Sequence, residues 1–284
     1  MWLDSPDEAG ILLAPYGSAS PRAMATYERI LASYRRSFPG MPILLAFTSG
    51  LMIKRLEERE GIAVLSIEEG LEQLSGLGCI QAVAQSLHIV PGGEFHRLVS
   101  QARGYKLKEA DREERLRISI GLPLLSGLED CLRLSGALPP LWNEPPRGEE
   151  EDAVLLAGHG TGHPADALYS QMAQVLRRDH GRVLLGAIEG FPGIEEMIEE
   201  LKACGAEKIR LRPFLLVAGG HAENDIAGPG RDSWKSTLER EGFEVDVRLK
   251  ALGEMDGVVA LLQEHTRRAL ESMKRGCLNP APGI

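Results

Sequence analysis

Residues 12–21 read LLAPYGSASP, and residues 155–164 read LLAGHGTGHP. The two segments align without a gap at an offset of 143, with five of ten positions identical: both leucines, the alanine, the glycine and the final proline. Each is a short apolar run ended by glycine, which suits a buried parallel strand that turns into a helix. Two further matches follow in the same order. LLAFTSG (44–50) parallels LLGAIEG (184–190), and VPGGE (90–94) parallels VAGGH (217–221). Matches that keep their order argue for internal duplication of a four-strand βα unit, with a cleft between the copies.

Working outward, the first copy predicts strands at 11–17, 42–47, 80–90 and 116–122, with helices near 67–76, 93–103 and 127–136. Met24, Tyr27, Leu31, Tyr34 and Phe38 stand at helical spacing before Pro39-Gly40 stops the run. The second copy predicts strands at 152–158, 183–188 and 209–217, then EVDVRLK, and a last helix from Asp256 to Lys274. Pro213 falls inside the third of these and calls for a bulge or an edge. Between the copies, LPPLWNEPPRGEEE holds four prolines and an acidic run and reads as a linker. The expected organisation is an N-terminal α/β lobe over 1–137, a linker over 138–151, a C-terminal lobe over 152–274 and a tail over 275–284. The fold class is α/β: two similar lobes, each a parallel four-strand sheet flanked by helices.

Composition bounds the function. With 284 residues, 43% hydrophobic and 26% charged, the chain is ordinary globular protein. Its 41 acidic against 32 basic residues leave a net charge of −9, which argues against a nucleic-acid partner. No apolar run approaches the roughly 20 residues of a membrane span, and MWLDSPDEAG has neither a basic nor an apolar signal region, so a cytoplasmic protein is expected. Cys79, Cys131, Cys204 and Cys277 are scattered, which suits reduced thiols rather than a disulfide frame.

Open α/β sheets bind ligands beyond the carboxyl ends of their strands. In the second copy those ends carry His159 in GHG, Glu189 in IEG and His221 in GGH; the aligned positions of the first copy are Tyr16, Ser49 and Glu94. Two imidazoles and a carboxylate suit a divalent first-row metal such as Co2+, Fe2+, Ni2+ or Zn2+. His163 and Pro164 are expected to open the next helix, and His180 and His265 to lie on the surface. In GRDSWKS (230–236), Trp234 stands where a phosphate loop needs glycine before its lysine, so no ATP site is indicated. No G-x-G-x-x-G follows the first strand and no G-x-S-x-G occurs, which weighs against dinucleotide and hydrolase chemistry.

LLAPYGS, AFTSGLMIKRL (46–56), QSLHIVPGGEF (85–95), GHGTGHP (158–164), AIEGFP (187–192) and FLLVAGGHAENDIAG (214–228) together resemble the anaerobic-pathway sirohydrochlorin cobalt chelatases. These are the CbiK-like members of the ATP-independent class II chelatases, and the resemblance runs from about residue 11 to 270. It implies insertion of Co2+ into sirohydrochlorin in anaerobic cobalamin biosynthesis, with cobalt as substrate, no obligatory cofactor and no ATP. It places the family's metal-binding histidine, glutamate and histidine on His159, Glu189 and His221, with His159 as main proton acceptor. Tetrapyrrole contacts are expected from Tyr16, Gly17, Ser18, Ser49, Glu94, Ala218, Gly219 and Gly220, with strand-end backbone amides receiving the substrate carboxylates. Lys54 and Arg55 stand as cationic alternatives. Rival readings are another specificity (Fe2+ for sirohaem, Ni2+, or protoporphyrin) and a non-catalytic metal or tetrapyrrole carrier. The oligomeric state is left open.

Overall fold

The computed structural model describes residues 8–108, 116–139 and 152–275. Most of the expected linker, nearly all of the expected tail and Cys277 lie outside them. The chain alternates strands and helices throughout. The first part runs β1 (Ala9–Ala14), α1 (Pro21–Ser37), β2 (Ile43–Phe47), α2 (Gly50–Glu60), β3 (Leu65–Ser66), α3 (Ile67–Gly76), β4 (Gln81–Ser86), α4 (Gly93–Lys108) and β5 (Arg117–Gly121). Then follow α5 (Leu128–Ala137), β6 (Asp152–Gly158), α6 (Ala167–His180), β7 (Val183–Ala187), α7 (Ile194–Ala203), β8 (Lys208–Phe214), α8 (Trp234–Arg240), β9 (Glu244–Val247) and α9 (Asp256–Lys274).

All strand pairs are parallel, in one sheet of order β3-β2-β1-β4-β5 and another of order β7-β6-β8-β9. Without β3 the first order becomes β2-β1-β4-β5, which is the second order under the duplication. The first sheet therefore has five strands, not the four expected. Its extra strand pairs only Leu65 and Ser66 before the chain turns helical. Ser66 ends it by closing a capping box: its hydroxyl accepts the Glu69 N–H while the Glu69 carboxylate accepts the Ser66 N–H at 2.8 Å. Two residues are too few to leave a strand period in the sequence.

Other expected strands were too long. The apolar run at 80–90 leaves the sheet after Ser86, and 209–217 leaves after Phe214. Apolar residues such as Leu87 and Val90 stay buried in the turns that follow, so hydrophobicity did not mark the end. Pro213 pairs opposite Ala157, but the ladder with β9 stops at Leu211–Val247. There β8 has a single partner, and a residue without an N–H is tolerated.

Two compact units emerge, and neither is a continuous stretch of chain. One comprises residues 1–19, 28–124 and 260–284; the other comprises 20–27 and 125–259. Helices α1 and α9 each contribute to both units. In the first unit, Leu12, Ala46, Leu71, Leu74, Ala84 and Leu98 form the core. In the second, Leu155, Leu184, Met197, Leu211, Trp234 and Leu238 do so.

Helix α9 is fastened to the first unit through polar groups. The Thr266 hydroxyl donates to Gln85 Oε1 at 2.9 Å and meets the Tyr34 hydroxyl at 3.2 Å. Gln85 Nε2 in turn donates to the Ser86 and Leu122 carbonyls, each at 2.8 Å. Burial pushes the Tyr34 hydroxyl pKa far above its ordinary value, so it stays protonated. His265 is also buried, with Nδ1 3.1 Å from the Leu122 carbonyl, which corrects its assignment to the surface. Charged neighbours at Glu264, Arg267 and Arg268 hid that inward position in the sequence. Thr266→Val keeps the shape but strands the Gln85 oxygen. Unfolding free energy is expected to fall by about 2 kcal/mol, read from urea unfolding; an unchanged midpoint and slope would show the network carries no stability.

Candidate metal centre

In the second unit β6 lies between β7 and β8, so the carboxyl ends of these three parallel strands are neighbours. His159 directly follows β6, Glu189 follows β7 by two residues, and His221 follows β8 after a six-residue turn. The backbone joins the first two segments: the Ile188 N–H donates to the Gly158 carbonyl at 2.9 Å, and the Glu189 N–H to the His159 carbonyl at 2.7 Å. Gly160 has φ 78°, and a Cβ there would lie 2.8 Å from the Glu189 carbonyl carbon and the Gly190 nitrogen. That turn needs glycine for both reasons. Tyr169, buried beneath it, hydrogen-bonds the Gly160 backbone.

His221 precedes a π-helical turn over Ala222–Ile226. The turn is closed by the Ala227 N–H donating to the Ala222 carbonyl at 3.1 Å. Such turns recur at functional sites. Here it sets Asp225 beside His221, with Oδ2 2.6 Å from the imidazole Nδ1. After the turn the Ser233 hydroxyl donates to the Gly228 carbonyl at 2.7 Å and caps α8, so the DSWK segment is a helix start.

The two imidazoles meet. His159 Nε2 lies 3.3 Å from His221 Nε2, with ring planes 80° apart. His159 Nδ1 lies 3.1 Å from the Gly160 carbonyl, an acceptor, as His221 Nδ1 lies against the Asp225 carboxylate, another acceptor. With an acceptor beside each Nδ1, the two Nε2 atoms are left facing each other across 3.3 Å. That opposition is relieved by a proton or a metal ion shared between them. Glu189 stands on the other side of His159, with Oε2 3.8 Å from Nδ1. Among the described residues, no three His, Cys, Asp or Glu side chains are arranged around one ion. The structure thus pairs the histidines at Nε2 and puts the glutamate behind the first of them.

The remaining candidates divide by unit. In the second unit Ala218 and Gly219 are buried and Gly220 is exposed beside His221; the Gly219 carbonyl accepts from the Glu223 N–H at 3.1 Å. In the first unit Tyr16, Gly17, Ser18 and Ser49 lie together. The Ser49 N–H donates to the Tyr16 carbonyl at 3.2 Å, and Gly17, at φ 112°, lies so close to Phe47 that a Cβ would be 2.3 Å from its ring. Tyr16 is exposed. Ser49 is buried, and its hydroxyl caps α2 by accepting the Met52 N–H at 3.3 Å, so its side chain is already committed. Glu94 pairs with Arg97 at 3.4 Å, while its other oxygen is buried without a hydrogen-bond partner. Lys54 is exposed and paired with Glu58 at 3.6 Å, and Arg55 is exposed. His163 caps the turn at Pro164–Asp166, as expected. His88 keeps Nδ1 2.8 Å from the Ser86 hydroxyl, and burial holds its pKa down to about 4, so it is neutral at pH 7. Sequence reasoning missed Asp225 and Asp166, the acidic residues that hold the site's segments.

Comparison with known proteins identifies the family. Residues 9–271 match the family described as cobalt chelatase (CbiK). The sirohydrochlorin cobaltochelatase CbiKC of Nitratidesulfovibrio vulgaris is 32% identical over 264 residues, 93% of this chain and 91% of the relative. The sirohydrochlorin cobaltochelatase of Salmonella typhimurium is 31% identical over 255 residues, 90% of this chain and 92% of the relative. Among solved structures, the sirohydrochlorin chelatase SirB from Bacillus subtilis subspecies spizizenii in complex with cobalt shares the fold. It has a TM-score of 0.66 and 16% identity, covering 94% of this chain and 97% of that one. With the family matched along nearly its whole length, this chain belongs to the CbiK family of cobalt chelatases.

Proposed function

We propose that this protein is a sirohydrochlorin cobaltochelatase that inserts Co2+ into sirohydrochlorin without ATP, in the cytoplasm, for cobalamin biosynthesis. The observation that carries the reading is the pair of opposed imidazole Nε2 atoms at 3.3 Å, at the carboxyl ends of neighbouring strands. The family and its relatives supply the substrate class.

Metallation exchanges two pyrrole N–H protons for one divalent cation. The protein must therefore present cobalt and accept protons at the same place. Neutral imidazole does both, because one lone pair serves either the metal or a proton. His221 and His159 present their Nε2 atoms to Co2+. As the metal moves to the macrocycle, His159 Nε2 takes up one pyrrole proton and His221 Nε2 the other. The resulting His159 imidazolium is stabilised by Glu189, 3.8 Å from its Nδ1. Asp225 offers His221 the same support. Each imidazole that changes charge thus has a carboxylate behind it. Substrate contacts are assigned to Tyr16, Gly17, Ser18, Glu94 and the Ala218–Gly220 backbone, with Ser49 acting through its cap.

The test is the loss of free sirohydrochlorin absorbance with Co2+, Fe2+, Ni2+ or Zn2+ supplied in turn, without nucleotide. Turnover with Co2+ alone is expected. Activity only after addition of ATP and partner subunits would refute the class, and stoichiometric binding without turnover would identify a carrier.

A further inference from the structure

Asp166 occupies the position that caps helix α6, yet its side chain does not cap that helix. The carboxylate instead reaches two other segments. Oδ1 accepts the backbone N–H of Thr161 at 3.0 Å, and Oδ2 accepts the backbone N–H of Phe191 at 3.0 Å. Thr161 lies two residues after His159, and Phe191 lies two residues after Glu189. Around the same carboxylate the packing leaves no slack: a Cβ at Gly190 would stand 2.5 and 2.8 Å from its two oxygens. The Ser170 hydroxyl, from the first turn of α6, fastens the Phe191 carbonyl at 3.4 Å. Phe191 itself is exposed although held from both sides of its backbone.

We propose that Asp166 is a positioning residue for the metal centre, a two-oxygen clasp that keeps the His159 segment and the Glu189 segment in register. The inference rests on those residues forming the cobalt site. Only a carboxylate meets the requirement, because two backbone donors on different segments each need an acceptor. An asparagine amide offers one oxygen, and in either orientation its NH2 group faces a backbone N–H. The loss is transmitted to the imidazole and the carboxylate through the two-residue steps to His159 and Glu189. Supporting groups of this kind typically tune metal affinity by about 10–100-fold.

The test measures Co2+ affinity and the visible absorption of bound Co2+ in the full-length protein, well below its unfolding temperature, for Asp166→Asn, Gly190→Ala, His159→Ala and Ser135→Ala. Ser135 is a structural control: it ties α5 to α6 in the same unit by donating to Asp179 Oδ2 at 2.7 Å. Asp166→Asn is expected to weaken cobalt binding by about 10–100-fold and to change the cobalt spectrum, whereas Ser135→Ala leaves both unchanged. Gly190→Ala, which presses on the carboxylate without removing it, is expected to weaken binding in the parent and to cost less in an Asp166→Ala background. If His159→Ala abolishes binding while Asp166→Asn and Gly190→Ala keep parental affinity and spectrum, Asp166 is only structural and the proposal is overturned. If His159→Ala itself binds cobalt like the parent, the metal centre has been misplaced, and the clasp falls with it.

Discussion

Alanine in place of His159 or His221 is expected to lower cobalt affinity and chelation rate by more than about 100-fold, beyond the range for residues that merely support a ligand. Each change removes one of the two facing Nε2 atoms, leaving a single imidazole where two converge. Tyr16→Ala and Glu94→Ala are expected to keep parental cobalt affinity while raising the KM for sirohydrochlorin, since the aligned positions of the first unit offer no imidazole pair. Ser49→Ala is expected chiefly to lose helix-cap stability, about 1 kcal/mol, because its hydroxyl is used by Met52. Cobalt titration and steady-state rates on the five variants decide the matter. Parental affinity in both histidine variants, with cobalt binding lost at Tyr16 and Glu94, would put the metal chemistry in the other unit.

The second large effect is expected at Asp225. Removing the carboxylate 2.6 Å from His221 Nδ1 frees the ring to rotate and to exchange its tautomer. Asp225→Ala should cost about 10–100-fold in cobalt affinity, and Asp225→Asn less, because the amide oxygen still accepts the Nδ1–H. At His159, Nδ1 lies 3.1 Å from the main-chain carbonyl of Gly160, and the Glu189 carboxylate stands farther off, at 3.8 Å. The two histidines therefore differ in how they can be weakened. Equal and parental cobalt affinities for both Asp225 variants, measured by calorimetry, would remove the carboxylate from any part in the site.

The aligned strand ends made the neighbouring placement of the candidate residues legible in the sequence. His159, Glu189 and His221 stand after glycine-bounded apolar runs, and parallel strands bring such positions to one edge. The long helix α9 was readable to its terminal residues, because nineteen residues of regular periodicity outweigh local noise. What stayed hidden lacks a period. The two-residue strand β3 is shorter than one alternation, and a π turn has neither the helical nor the strand repeat, so Asp225 gave no sign of reaching His221. Asp166 was hidden by convention: an aspartate at a helix start reads as a cap, and only coordinates show its oxygens turned to Thr161 and Phe191. Linear domain boundaries failed to anticipate shared helices for a related reason. Composition marks where a chain is exposed, not which sheet a distant helix will cover.

That sharing bears on how the protein comes into being. The buried contact that completes the first unit joins Thr266 to Tyr34 and Gln85, across sequence separations of 232 and 181 residues. A ribosome releases residues in order, so most of the amino-terminal unit emerges early yet waits for nearly the last helix to seal it. The second unit takes only residues 20–27 from the early chain and is complete by residue 259. The portion synthesised first is therefore finished last, and until α9 emerges the buried Tyr34 and Gln85 groups lack their Thr266 partner.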